Sequence, residues 1–216
     1  MHIHCASLAT EAARYTSPDE QLKAASLLDP RKKKILLSGR GLLREILGRY
    51  LGLDPNELNF SVATYGKPYL DSCCVNGERL HFNLSHSDDL FLLAVASDRE
   101  VGIDVEKLHS DVPFADLARL AFSASEQQEL FALPVHLQRS AFYRCWTRKE
   151  AYMKASGKGF NMPSNGFTVS LLPGAMPELI IGDNTSLWIQ QEITVPHGYC
   201  AALVVYGSTA IVRYIK

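Results

Sequence analysis

The chain lacks several features that would each have narrowed its chemistry. No apolar run approaches the ~20 residues needed to span a bilayer, so no membrane helix is expected. The five cysteines, Cys5, Cys73, Cys74, Cys145 and Cys200, are odd in number and show no Cys-x-x-Cys or Cys/His metal spacing. Cys73 and Cys74 are adjacent, which disfavours a bridge between them, and reduced thiols are the simplest reading. Met1-His2-Ile3-His4-Cys5-Ala6 has neither the charged nor the apolar region of a signal peptide, so a cytoplasmic protein is expected. No Gly-x-x-x-x-Gly-Lys-Ser/Thr occurs, so Gly157-Lys158-Gly159 is not a P-loop. No glycines frame Ser85 as a nucleophile elbow would, which argues against a hydrolase triad with His86. Net charge is −1, so the whole molecule is no electrostatic trap for nucleic acid.

What is present is the composition of a soluble globular protein. Of 216 residues, 47% are apolar and 21% charged, enough for a core that needs no disulfide or metal staple. Residues 31–51 carry apolar side chains at helical spacing, with Gly39 and Gly41 weakening the middle and Gly52 and Pro55 ending it. Strands are expected at 59–64, 80–84, 90–97 and 101–106, with a turn at Tyr65-Gly66-Lys67-Pro68. The second half repeats the order. Helical patterns at 114–121, 125–133 (with Ser125 as its cap) and 137–156 precede strands near 167–171, 186–193, 199–206 and 210–214. The expectation is an α+β protein of two similar lobes, each an antiparallel sheet with a long helix, divided just after Glu106 into residues 1–106 and 107–216.

Two segments suggest a chemistry. In Gly102-Ile103-Asp104-Val105-Glu106, residues i and i+2 of a strand share a face, so Asp104 and Glu106 project together. Like charges side by side destabilise a strand unless a cation compensates, and Gly102 permits a close backbone approach. In the helix at 137–156, Glu150 and Lys154 at i, i+4 share the flank of an apolar stripe of Phe142, Cys145, Trp146, Lys149 and Met153. Lys149 is read as a side chain that snorkels from that stripe. Three converging carboxylates would bind a hard divalent cation such as Mg²⁺, open to substrate phosphates. Arg31-Lys32-Lys33-Lys34, Arg40, Arg44 and Arg49 make the first long helix basic; the bland reading is a solvated face, the sharper one a phosphate site. His86 could donate to a phosphate as well.

In order, Arg40, Gly66-Lys67-Pro68, Phe82-Asn83-Leu84-Ser85-His86-Ser87, Gly102-Ile103-Asp104-Val105-Glu106, Phe122-Ser123-Ala124-Ser125-Glu126 and Trp146-x-x-Lys149-Glu150-Ala151 through Lys154 to Gly157-Lys158-Gly159 resemble the 4′-phosphopantetheinyl transferases of the large two-lobed, surfactin-synthetase-activating type. The resemblance covers roughly residues 30–170. It implies a pseudo-two-fold fold, with coenzyme A as substrate and Mg²⁺ (Mn²⁺ as the alternative) in the cleft between lobes. It implies transfer of the phosphopantetheine arm to a serine of an apo acyl or peptidyl carrier protein, with release of adenosine 3′,5′-bisphosphate. Carried over by position, Asp104, Glu106 and Glu150 would hold the metal and Lys154 the α-phosphate. His86 and Arg40 would hold the 3′-phosphate, with Lys67 and Ser85 nearby. The first lobe would take the nucleotide side, and the second the metal, the catalytic helix and the docked carrier. Glu150 is the candidate base for the serine proton, with a metal-bound water as rival. Lys107, Arg119, Phe122 and Phe131 are docking candidates, though plain core packing is the favoured reading of the two phenylalanines. No nucleic acid or membrane partner is expected, and a monomer would suffice. The competing functions are a metal-dependent nuclease or phosphodiesterase on the same carboxylates, and a coenzyme-A-binding regulator without activity.

Overall fold

The computed structural model describes residues 1–8, 10–70, 74–75, 78–173, 179–181, 184–185, 187–207 and 211–215. Strand β1 (His2–Ser7) leads through a 3₁₀ turn to α1 (Pro18–Ala25), opened by a capping box of Ser17 and Glu20. Helix α2 (Pro30–Leu51) starts with Asp29 accepting the Arg31 N–H and ends at Gly52 in the left-handed region. One of the two glycines that weakened its middle has a packing reason. A Cβ on Gly41 would overlap the Ala12 carbonyl, so the helix can lie against the 3₁₀ turn only there.

Short strands β2 (Phe60–Val62), β3 (Pro68–Leu70) and β4 (Cys74–Val75) precede the hairpin of β5 (Glu78–Ser87) and β6 (Leu90–Ser97), and then β7 (Val101–Lys107). Helices α3 (Phe114–Ala121), α4 (Ala124–Ala132) and α5 (Val135–Ala155) follow. The cap of α4 is Ser123, not the expected Ser125: its hydroxyl accepts the Glu126 N–H and the Glu126 carboxylate accepts the Ser123 N–H. The chain closes with β8 (Thr168–Val169), β9 (Leu179–Ile181), β10 (Asn184–Thr185), β11 (Trp188–Glu192), β12 (Tyr199–Tyr206) and β13 (Arg213–Ile215). Of the expected strands, positions 186 and 210 lie outside the described residues. So do Cys73 and the Cys74 side chain, while Cys5, Cys145 and Cys200 are free thiols.

Four layers result: α2, a sheet ordered β13-β1-β6-β5-β4, a sheet ordered β11-β12-β7, and α5. This is the α+β architecture of two helix-covered sheets. Strand β6 is buried on both faces, which explains its unbroken apolar run. Phe91, Leu93 and Val95 face α2, whereas Leu90, Leu92, Ala94 and Ala96 face the second sheet. On β7, Val101, Ile103 and Val105 join that inter-sheet core, and the alternate residues face α5. Two pairings cross the sequence halves. β7 hydrogen-bonds to β12, although a boundary after Glu106 assigns it to the first lobe. β13, expected to complete the second sheet, lies parallel to β1 in the first.

Candidate active site

The seam between the sheets is stitched by side chains. β7 is an edge strand, and its outward N–H groups would be orphaned in a buried place. Three polar side chains at alternate positions of β5 take them. The Ile103 N–H donates to Asn83 Oδ1 (2.9 Å), the Val105 N–H to Ser85 Oγ (3.3 Å) and the Lys107 N–H to Ser87 Oγ (3.0 Å). The same hydroxyls reach the β7 carboxylates: Ser85 donates to Asp104 Oδ1 at 2.9 Å and Ser87 to Glu106 Oε2 at 3.0 Å. Sequence reasoning noted Asn83 and Ser85 as polar groups but missed the role of the ladder and of Ser87. The signal was the i, i+2, i+4 spacing of Asn83, Ser85 and Ser87, which puts them on one face of the strand.

From the other side α5 closes on β7 at Gly102, where an added Cβ would overlap the backbone at Ala151 and Ala155. This approach sets Glu150 and Lys154 over the carboxylate pair. Lys154 Nζ lies 2.7 Å from Asp104 Oδ1 and 3.0 Å from Ser85 Oγ. Burial pushes the Asp104 carboxyl up, against the pull of Lys154. Burial, and then the Asp104 charge, push Glu106 up. Burial, Asp104 and Glu106 together raise Glu150 to about 7. The three carboxylates therefore feel one another, but they do not form a finished cage. Among the described residues no three histidine, cysteine or acidic side chains surround a common point. The set still fits a hard cation. All its donors are carboxylate oxygens, and Asp104 Oδ2 is buried with no hydrogen-bond partner among the described residues.

A cleft of about 290 Å³ opens beside this cluster, lined by Arg40, Lys67, Leu84, Glu150, Met153 and Lys154 among others. Arg40 is part exposed and only loosely paired, 3.9 Å from Glu20. Lys67 borders the cleft but is turned inward. Its ammonium donates to Glu100 (2.6 Å) and to the carbonyls of Val101 and Ala155, which uses all three protons. Ser85 is buried in the ladder and does not line the cleft. His86, on the opposite face of β5, opens on a separate groove along α2 with Arg31, Lys32 and Ile35, so it and Arg40 border different hollows. Burial and the Lys154 charge hold its imidazole below the usual range.

Two other cations depart from the sequence reading. Arg44 is no phosphate group: it is buried, bonded to Glu20 and to the carbonyls of Pro55 and Leu58. Lys149 does not snorkel. It is fully buried against Glu126 at 2.8 Å and donates to the carbonyls of Ser164 and Phe167. Lys107 is paired with Asp88 at 2.6 Å. Of the docking candidates, Phe122 is core, Phe131 is partly exposed beneath Arg119, and Arg119 pairs with Asp116.

Two helix-covered sheets meet at a seam where acidic and basic side chains converge, and the comparisons with known proteins give the class of that fold as a transferase. Residues 100–204 match the 4′-phosphopantetheinyl transferase superfamily, and residues 6–98 match the N-terminal part of 4′-phosphopantetheinyl transferases. The chain is 36% identical over 195 residues to the 4′-phosphopantetheinyl transferase HetI of Nostoc sp., covering 90% of this chain and 79% of that protein. It is 31% identical over 193 residues to the 4′-phosphopantetheinyl transferase Sfp of Bacillus subtilis, covering 87% and 83%. A solved holo-(acyl-carrier-protein) synthase from Bacillus anthracis, in complex with CoA (3′,5′-ADP), matches 51% of this chain and 96% of its own, at 20% identity and a TM-score of 0.43. The chain belongs to the 4′-phosphopantetheinyl transferase superfamily and is an enzyme that transfers the phosphopantetheine group. Among the described residues no helix is long and apolar enough to cross a membrane.

Proposed function

We propose that coenzyme A is the donor, that a serine of an apo acyl or peptidyl carrier protein is the acceptor, and that Asp104, Glu106 and Glu150 hold the Mg²⁺ the reaction needs. The observation that carries this reading is the meeting of Glu150 and Lys154 with Asp104 across the Gly102 contact, beside a cleft that also holds Arg40. A divalent cation bound there would supply positive charge to a pyrophosphate, the main requirement of phosphoryl transfer.

The remaining work falls to the chain's own groups. The serine oxygen forms a bond to the β-phosphorus, and the bond from that phosphorus to the bridging oxygen breaks, leaving adenosine 3′,5′-bisphosphate. Glu150 takes the serine proton: its carboxyl is raised to about 7 by burial, Asp104 and Glu106 when no metal is bound, and a shared cation would lower it from there. Lys154 faces the same cleft and neutralises the departing α-phosphate oxygen. Arg40 in the cleft and Lys32 in the neighbouring groove provide cationic groups for the 3′-phosphate, and His86 beside Lys32 provides a neutral ring N–H donor. Lys67 acts through the turn it anchors rather than through its charge. Residues 1–106 are assigned the nucleotide side and residues 107–216 the catalytic helix and carrier side, with the metal at the seam, where β7 supplies Asp104 and Glu106 and α5 supplies Glu150, and one chain suffices.

The test is mass spectrometry of an apo carrier protein incubated with this protein, coenzyme A and Mg²⁺. A gain of about 340 Da on the carrier serine, the mass of the transferred phosphopantetheine, is expected. No gain on any of several acyl and peptidyl carriers would falsify the assignment of donor and acceptor.

A further inference from the structure

We propose that Lys154 and the divalent cation take turns at Asp104: the ammonium holds the carboxylate in the free enzyme and is released to the substrate phosphates when metal arrives. This rests on the reading of Asp104, Glu106 and Glu150 as the metal site.

The hydrogen-bond inventory points to an exchange. A hydroxyl has one proton to donate and two lone pairs. Ser85 Oγ gives its proton to Asp104 Oδ1 and accepts from the Val105 N–H and from Lys154. Its capacity is full, so it has nothing left for a phosphate while Lys154 is in place. Its role is to hold Asp104 Oδ1 and the ammonium together. The other oxygen, Asp104 Oδ2, has no hydrogen-bond partner among the described residues. A single ammonium thus satisfies half of a buried carboxylate, which is an incomplete solution for a group so costly to bury.

Exposure is unequal. The Asp104 side chain is 5% exposed and pinned by Ser85, whereas the Lys154 side chain is 29% exposed and lines the cleft. Only the lysine can leave, and it leaves toward the space where phosphates would lie. Charge balance favours the same direction. Three carboxylates share this one ammonium, and a divalent cation would compensate the negative charge that Lys154 leaves over. Metal should therefore bind weakly to the free enzyme and tightly once a pyrophosphate offers Lys154 another partner. By linkage, each ligand should tighten the other.

Mn²⁺ binding to the intact protein without coenzyme A, followed by the electron paramagnetic resonance of free Mn²⁺, tests the exchange. Lys154→Met should bind Mn²⁺ at least about tenfold more tightly than the parent, because a competing charge is gone. Lys154→Arg, which keeps the charge, should stay near the parent, and Asp104→Asn should lose the site. Mn²⁺ binding that vanishes in Asp104→Asn but is unchanged in Lys154→Met overturns the exchange and leaves the metal site standing. Absence of binding in the parent and in Lys154→Met alike removes the metal site and the exchange together. If Lys154→Met proves unstable, its unfolding temperature reads the same competition. A larger rise with Mg²⁺ than the parent shows supports the exchange, and an equal or smaller rise overturns it.

Discussion

Glu126 and Lys149 form an ion pair of 2.8 Å in which the side chains are 0% and 2% exposed. The pair is fully satisfied. Glu126 also accepts the N–H groups of Ser123 and Val169, and Lys149 donates to the carbonyls of Ser164 and Phe167 while lying over the Phe167 ring. It therefore locks α4, α5 and the segment before β8 into one arrangement, immediately beside Glu150. Removing one partner leaves a buried, uncompensated charge. Glu126→Gln or Lys149→Met should each cost about 3–5 kcal/mol, read from chemical unfolding, whereas the double replacement by apolar residues should cost much less. Single variants within about 1 kcal/mol of the parent would show that the pair does not hold this region.

Gly102 controls how closely α5 approaches β7. With no room for a Cβ against Ala151 and Ala155, Gly102→Ala must push strand and helix apart. The expected cost is about 1–3 kcal/mol in stability. The effect on transfer should be larger, on the order of a hundredfold, since a shift of an ångström between Glu150 and the carboxylate pair spoils the alignment. A variant with parental turnover would separate this contact from the chemistry.

These two contacts show what was and was not legible in the sequence. The Asp104/Glu106 spacing, the Glu150/Lys154 spacing and the need for close approach at Gly102 are local patterns, and local geometry delivers them. The fate of the cations is not local. Arg44, Lys67 and Lys149 looked like solvated or phosphate-facing groups because their partners Glu20, Glu100 and Glu126 lie on other elements. Ser85 was misread for the same reason, since β7 takes up its hydroxyl. The parallel pairing of β13 with β1 joins the two ends of the described chain and leaves no periodic trace in either strand.

The Glu100 carboxylate gives an acid dependence of known sign. Its hydrogen bonds with His81 and Lys67 hold it down to about 2, below its ordinary value of 4.5. A depressed carboxyl contributes stability that is complete above 4.5 and is lost as pH falls toward 2. Because Lys67 ties the 65–68 turn to the end of α5, that loss should loosen the cleft wall before the core opens. Glu100→Gln should lower the unfolding temperature near pH 7 and flatten its fall between pH 4.5 and 2. An identical acid profile in the variant would assign the dependence to other groups.

Glu150 carries two proposed duties, and they can be told apart. It lies over Asp104 and Glu106, so replacing its charge should relieve repulsion, and metal-free Glu150→Gln should unfold no earlier than the parent. Turnover should nevertheless drop by about 10²–10⁴, the usual worth of a general base. If Glu150 served only as a ligand, the amide oxygen would still coordinate, and raising Mn²⁺ would recover the lost rate. If it takes the serine proton, saturating metal restores binding but leaves the rate low, because an amide cannot accept a proton at neutral pH. The second outcome is expected, and full recovery at high Mn²⁺ would move the base to another group. Lys154 sharpens the distinction. Its contact with Asp104 rather than Glu150 leaves the Glu150 carboxylate without a charged hydrogen-bond partner among the described residues, and so available both to metal and to the incoming hydroxyl.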